Sequence, residues 1–156
     1  MRYDEIIGLN DYFQPVYDLE NEIGTYWKTF IPNEKWYKVL SETINSLESS
    51  KPEEKKSIWL QGAYGTGKSH ATAVVKHLLF DDLDEINDFI ENLEEQIKFK
   101  IKNFRKTKRV FPVVLKATSS VIDNRTFALV IEKAVKNALK KEKIELITNT
   151  DFDKMI

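Results

Sequence analysis

The sequence predicts an α/β fold, in which a parallel sheet is flanked by helices. Two runs rich in β-branched and other apolar residues, 57–61 and 110–117, predict strands. Each run is followed by apolar residues at helical spacing, which begin near Gly67 and near Asp123 or Asn124. Strands that alternate with helices are typical of a parallel sheet with right-handed crossovers. Because Pro112 cannot donate a ladder hydrogen bond, we expect the second strand at a sheet edge or a strand start.

A glycine-rich loop separates the first predicted strand from its helix. Its sequence, Gly62-Ala63-Tyr64-Gly65-Thr66-Gly67-Lys68-Ser69, fits the phosphate-binding P-loop pattern G-x-x-x-x-G-K-S/T. Glycines let successive backbone N–H groups point at phosphate oxygens, and the N-terminus of the following helix favours the same anion. We expect Lys68 to act as the catalytic cation on the β- and γ-phosphates of ATP, and the Ser69 hydroxyl to bind Mg²⁺. The predicted nucleotide-binding residues are Gly62, Ala63, Tyr64, Gly65, Thr66, Gly67, Lys68, Ser69 and His70.

The composition describes a globular protein with no global attraction to nucleic acid or membrane. The chain has 156 residues, 42% hydrophobic residues and a net charge of -1, which suit one domain with a proper core. It has no cysteine, so a disulfide framework and a thiolate metal site are excluded. The N-terminal residues lack a signal-peptide apolar region, and no run approaches the length of a membrane span. We expect a cytoplasmic protein.

Residues 1–50 are predicted to form an N-terminal arm and a helix, and residues 51–156 the P-loop core. The arm, up to about residue 32, is rich in aromatic residues. These side chains either pack across the core or flank the adenine of bound ATP, and we expect packing because aromatic residues usually fill cores. Asn33 is expected to cap a helix whose apolar stripe includes Trp36, Leu40 and Ile44.

Residues 81–109 are predicted to form one long amphipathic helix, acidic at its start and basic at its end. This charge order is the one that the helix dipole favours. The basic end could contact DNA phosphates, but a solvated helix end with complementary charge is the simpler interpretation.

A second carboxylate for Mg²⁺, the Walker B aspartate of P-loop ATPases, is not evident in the sequence. Asp81 follows an apolar run but ends the helix that starts at the P-loop, about 18 Å away at 1.5 Å per residue. Lys116 stands where the second strand would need an acid, and Asp151 and Asp153 follow no apolar strand. His70 and His77 share a helix face without a third metal ligand, so ordinary helical positions are expected for both histidines.

The run Ile58-Trp59-Leu60-Gln61 together with the loop to His70 resembles the P-loop of the large ATPase of the BREX bacterial phage-defence system and its relatives, which are of the AAA+ type. The aromatic arm, the capped helix, the strand at 111–116 and the helix after Arg125 agree in order. The resemblance implies the N-terminal part of a larger ATPase that drives a DNA-associated defence complex, with other subunits or further copies as partners. The chain departs from the family by ending before any Walker B, sensor or arginine-finger element, so hydrolysis by this chain alone is expected to be poor.

Two other functions are compatible with a P-loop. One is a small P-loop phosphotransferase, which needs arginines to hold a second substrate, and Arg105, Arg109 and Arg125 form no motif for that. The other is a non-catalytic scaffold switched by nucleotide binding.

Overall fold

The computed structural model describes residues 16–115 and 121–145, and the regular secondary structure in them is entirely helical. The chain divides into two compact units between Phe111 and Pro112. The predicted boundary between residues 50 and 51 stays a prediction. In chain order the elements are a 3-10 helix Tyr26–Thr29, α1 Glu34–Glu48, a 3-10 helix Pro52–Glu54, α2 Lys68–Phe80, α3 Leu83–Glu91, α4 Glu95–Thr107 and α5 Asn124–Lys141.

The predicted α/β fold is wrong, because residues 16–115 and 121–145 form no strand and no sheet. Residues 57–61 and the described part of the second predicted strand, 110–115, have no regular secondary structure. In the predicted buried strand, Trp59 is 87% exposed and Leu60 is 37% exposed. A β-branched, apolar run favours extended backbone, but a strand also requires a neighbour that pairs with its N–H and C=O groups. The backbone N–H and C=O of Lys56, just before the first run, bond to the Ser46 hydroxyl, and in the second run the Val110 N–H bonds to the Leu79 carbonyl.

Helix α1 begins where its sequence predicts. The Asn33 side chain accepts a hydrogen bond of 3.0 Å from the Trp36 N–H, which confirms the expected cap. The predicted apolar stripe is buried, since Leu40 and Ile44 expose no surface and Trp36 only 4%. The Trp36 indole N–H donates to the Ala71 carbonyl at 3.1 Å, which ties α1 to the helix that follows the P-loop.

The core of the first unit lies between four helices and the arm. Helix α4 packs against α1 and against α2, while α2 also packs against the 3-10 helix Tyr26–Thr29. The residues that expose none of their surface in this core are Leu40, Ile44, Ala73, Val74, Leu78, Ile86, Ile101 and Phe104. Trp27 of the arm joins the same core at 3% exposure, so part of the arm packs as expected.

The long helix predicted for residues 81–109 is interrupted, which corrects that prediction. Helix α3 ends with Asn92 as its C-cap, whose side chain donates to the Asp88 carbonyl, and α4 begins after Glu94. Apolar residues keep helical spacing through the break, so periodicity could not reveal it. The break lets Glu91 accept hydrogen bonds from Lys98 at 3.2 Å and from Lys102 at 2.5 Å. Glu91 and Lys102 would be about 16 Å apart along one continuous helix.

The described part of the second unit is mainly α5. Asp123 is its N-cap and forms a capping box with Thr126, whose N–H donates to the Asp123 carboxylate at 2.7 Å. Of the two candidate caps in the sequence, Asp123 is therefore the one used. No helix in the described ranges is long and apolar enough to cross a membrane.

Candidate functional site

The P-loop turns into α2 through two glycines in the left-handed region. Gly65 and Gly67 both have φ of 77°, and Gly67 is the N-cap of α2. A side chain is rarely found at such φ values, since its Cβ crowds the backbone. Gly62 has a different restriction, because a Cβ there would lie 3.1 Å from the Thr66 hydroxyl. Backbone conformation therefore explains the glycines at 65 and 67, and close contact with the Thr66 side chain explains Gly62.

Lys68 lies against the loop that precedes it. Its ammonium donates to the carbonyls of Gly62 at 2.9 Å and Ala63 at 2.6 Å, and it lies 3.3 Å from the Thr66 hydroxyl. The Thr66 hydroxyl itself donates to the Ala63 carbonyl at 2.9 Å. The positive charge is thus held at the loop, and an anionic oxygen placed there could replace the carbonyls as its acceptor.

The N-terminus of α2 is open towards the same region. Gly67 has no side chain to cap it, and the first helical bond is the one from the Ala71 N–H to the Gly67 carbonyl at 2.8 Å. The N–H groups of Lys68, Ser69 and His70 therefore have no acceptor within the helix. Together with the helix dipole, such N–H groups form a favourable environment for an anion. Ser69, the second residue of α2, is exposed beside them.

A cavity of about 240 Å³ joins the loop to the N-terminal arm. This volume is just below the roughly 300–1,000 Å³ of typical small-molecule pockets, so a nucleotide would be only partly enclosed. The structure brings together at this cavity most of the predicted nucleotide-binding residues. Its lining is Val16, Tyr17 and Tyr26 of the arm, with Tyr64, Gly65, Thr66, Gly67, Lys68, Ser69 and His70 of the loop and α2.

His70 connects the arm to the start of α2. Its ring is stacked with Tyr17 at 4.8 Å and with Tyr26 at 5.3 Å between ring centroids, both at 15° between planes. Its Nε2 lies 3.1 Å from the Trp27 carbonyl, so Nε2 is the nitrogen that donates. Burial lowers the pKa of His70, against the opposing effect of its backbone hydrogen bonds to Trp27 and Tyr26. Because His70 directly follows Ser69, its contacts connect the arm with the start of α2.

A group of charged side chains attaches the arm to the middle and end of α2, and we call it the Glu22 cluster: Glu22, Lys76, His77 and Asp81. The Glu22 carboxylate pairs with the Lys76 ammonium and lies 3.1 Å from the Nε2 of His77, whose Nδ1 lies 2.5 Å from Asp81. Tyr17 donates its hydroxyl proton to Glu22 at 2.7 Å. Burial, and secondarily Tyr26, raise the pKa of Tyr17 to about 12, so this hydroxyl stays protonated at neutral pH.

The sequence did not reveal the Glu22 cluster. His77 and Asp81 are four residues apart on α2, which is a spacing that brings side chains together, but Glu22 lies 55 residues away from His77 along the chain. His77, expected to be an ordinary helical residue, has carboxylates at both ring nitrogens. Among the described residues, no three or more metal-ligating side chains are placed to hold an ion. The Mg²⁺ role of Ser69 remains a prediction, since phosphate oxygens and water supply most ligands in such sites.

The far end of α2 is occupied by two arginines. Arg105 donates to the Leu78 carbonyl at 2.6 Å and to the Asp81 carbonyl, and Arg109 donates to the Phe80 carbonyl at 2.5 Å. Asp81 is the C-cap of α2, at the end opposite Gly67. A 13-residue helix is about 20 Å long, so Asp81 is too distant to serve the P-loop. Lys116, Asp151 and Asp153 lie outside the described residues.

The basic residues of α4 are largely engaged within the chain. Lys98 and Lys102 pair with Glu91, and Lys100 donates to the Asn45 side chain at 2.6 Å. Lys108, the C-cap residue of α4, donates to the Leu47 carbonyl at 2.8 Å. These contacts hold the named lysines against the rest of the chain, and DNA binding stays an untested alternative.

Comparisons with known proteins assign neither a family nor a function to the chain. No family model, no curated protein and no solved structure matches the chain.

Proposed function

We propose that this chain binds ATP together with Mg²⁺ through residues 62–69. The observation that carries the proposal is that the left-handed glycines Gly65 and Gly67 direct Lys68 and the uncapped N-terminus of α2 to one cavity. A triphosphate has the negative charge and the acceptor oxygens that this arrangement lacks. In this assignment the N–H groups of the loop hold phosphate oxygens. Lys68 contacts the β- and γ-phosphates, and the Ser69 hydroxyl is a Mg²⁺ ligand.

The positions of Arg105 and Arg109 favour nucleotide binding over the phosphotransferase alternative. A phosphotransferase would need cations near the P-loop to hold a second substrate and to stabilise the transferred group. Arg105 and Arg109 instead bind carbonyls at the opposite end of α2. A scaffold switched by nucleotide binding requires only the binding step, so it is compatible with the same site.

We predict that this chain alone hydrolyses ATP slowly or not at all. Phosphoryl transfer requires a placed water and stabilisation of the spreading negative charge, in addition to the phosphate cradle. Asp81 is bonded to His77 at the far end of α2 and cannot hold the Mg²⁺ water shell. Phosphate release is measured for the parent chain and for Lys68→Ala. A Lys68-dependent turnover of about 1 s⁻¹ or more, ordinary for an enzyme, would contradict the prediction.

Binding is tested by calorimetric titration of ATP in the presence of Mg²⁺. Lys68→Ala should abolish the binding heat while the thermal unfolding midpoint stays close to that of the parent, because the Lys68 ammonium contacts only the loop. Lys38→Ala is the matched control, since it removes the same charge from a side chain that is 77% exposed on α1. Equal ATP affinity in the parent and in a folded Lys68→Ala variant would refute the proposal.

We propose separately that this chain is part of a larger assembly. The resemblance to the ATPase of a phage-defence system is most specific at residues 58–70, and it suggests a role as the ATP-binding part of a complex with other subunits and with DNA. The cytoplasm is the compartment that we propose, because ATP binding and a chain without cysteine suit a reducing environment.

A further inference from the structure

We propose that Tyr17 and Tyr26 form a subsite on which the base of the bound nucleotide stacks, and we call these two side chains the tyrosine wall. This inference rests on the proposed function and extends it from the phosphates to the base. The P-loop residues recognise only phosphates, so any contribution of the base must come from another part of the same cavity. The tyrosine wall is that part, because both tyrosines line the cavity together with Gly65, Gly67 and Lys68.

The geometry of the tyrosine wall suits a planar ligand. The rings of Tyr17 and Tyr26 lie 5.8 Å apart at 29° to each other, and each is stacked with His70 at 15°. Three aromatic rings therefore have similar orientations beside the phosphate loop. A nucleobase prefers offset stacking on such faces, and neither tyrosine is fully buried by its neighbours.

The tyrosine wall is held in place before any ligand binds. Tyr17 donates its hydroxyl to Glu22, and His70, against which both tyrosines stack, lies within hydrogen-bond distance of the Trp27 carbonyl. Trp27 is itself in the core and stacked with His77 at 4.6 Å. Since the rings are already ordered, stacking a base on them costs little conformational entropy.

The alternative is that the two tyrosines only cover α2, as Trp27 does. Trp27 is 3% exposed, whereas Tyr17 and Tyr26 are half-buried and reach the cavity. Stacking involves the face of a base and not its hydrogen-bonding edge, so a stacking subsite binds any purine. We therefore expect ATP and GTP to bind with affinities that differ only slightly.

The test compares ATP with ribose 5′-triphosphate, which has the same phosphates and sugar but no base, both with Mg²⁺. In the parent chain ATP should bind about 5- to 150-fold more tightly, the range that stacking on one aromatic side chain provides. Tyr26→Leu should lose most of this advantage while its affinity for ribose 5′-triphosphate is unchanged. Tyr37→Leu is the control, because Tyr37 is a half-buried tyrosine of α1 whose ring contacts Trp36.

The possible outcomes distinguish failure of the base subsite from failure of the phosphate site. If neither compound binds to the parent chain, the proposed function fails and the subsite fails with it. If both bind to the parent with equal affinity, the phosphate site stands and the tyrosine wall is refuted, without reference to any variant. An advantage of ATP that persists in a folded Tyr26→Leu variant would also refute it.

Discussion

The P-loop and the core of the first unit differ most clearly in burial. Residues 62–67 are all exposed, whereas Leu40, Ile44, Ile101 and Phe104 expose no surface. The core is stabilised by apolar contacts between four helices. These contacts join residues that are distant in the chain. The loop conformation depends on backbone preferences of its own glycines and on short-range bonds to Lys68. Stability and ligand binding should therefore be separable by mutation.

The largest loss of stability is expected in the core. Ile101→Ala should lower the free energy of unfolding by about 2–5 kcal/mol, because it removes fully buried methylene and methyl groups and leaves a cavity. Phe99→Ala on the same helix is the control, since Phe99 is 69% exposed. Urea unfolding measures both variants. Equal losses of stability in the two variants would contradict the burial of Ile101 in the helical core.

An intermediate loss is expected at the glycine that caps α2. Gly67→Ala should cost about 1–2 kcal/mol, because the residue must adopt a left-handed conformation. Space is not the limitation, since a Cβ at Gly67 would meet no atom within 4 Å. Gly67→Asn should cost less than Gly67→Ala, since asparagine tolerates this conformation better. Equal stability of Gly67→Ala and the parent in urea unfolding would contradict the left-handed cap.

The smallest effect concerns pH and His70. Burial lowers the pKa of His70 in the folded chain, so the unfolded chain takes up this proton first as the pH falls. The contribution of His70 to stability is complete above its ordinary pKa of about 6.5 and decreases as the pH falls below that value. The unfolding midpoint of the parent should decrease more than that of His70→Gln between about pH 7.5 and about pH 5.5. A larger decrease in the variant would mean that protonated His70 is stabilised in the fold.

The starts of α1 and α2 could be predicted because their signals are local. Asn33 precedes a stripe with helical spacing, and Gly67 precedes Lys68 and Ser69 in a pattern that requires a loop followed by a helix. The predicted sheet failed because pairing depends on a neighbouring strand, and the sequence of residues 57–61 does not specify one. The break at Asn92 was hidden by apolar spacing that continues through it.

The contribution of the N-terminal arm to the candidate site could be predicted only in part. The aromatic residues of the arm suggested two roles, and the structure shows Trp27 in the core and Tyr17 and Tyr26 at the cavity. The Glu22 cluster was missed because Glu22 contacts Lys76 and His77 across more than 50 residues of chain. Sequence spacing contains no information about such a contact.

The claim that residues 62–69 bind a triphosphate is tested most directly by backbone amide NMR during titration with Mg²⁺ and ATP. The N–H groups of Gly65, Gly67, Lys68 and Ser69 should show the largest chemical-shift changes, because they would donate to phosphate oxygens. Amides of the core, such as that of Ile101, should change little. Shifts centred on the basic residues of α4, with none in the loop, would contradict the account.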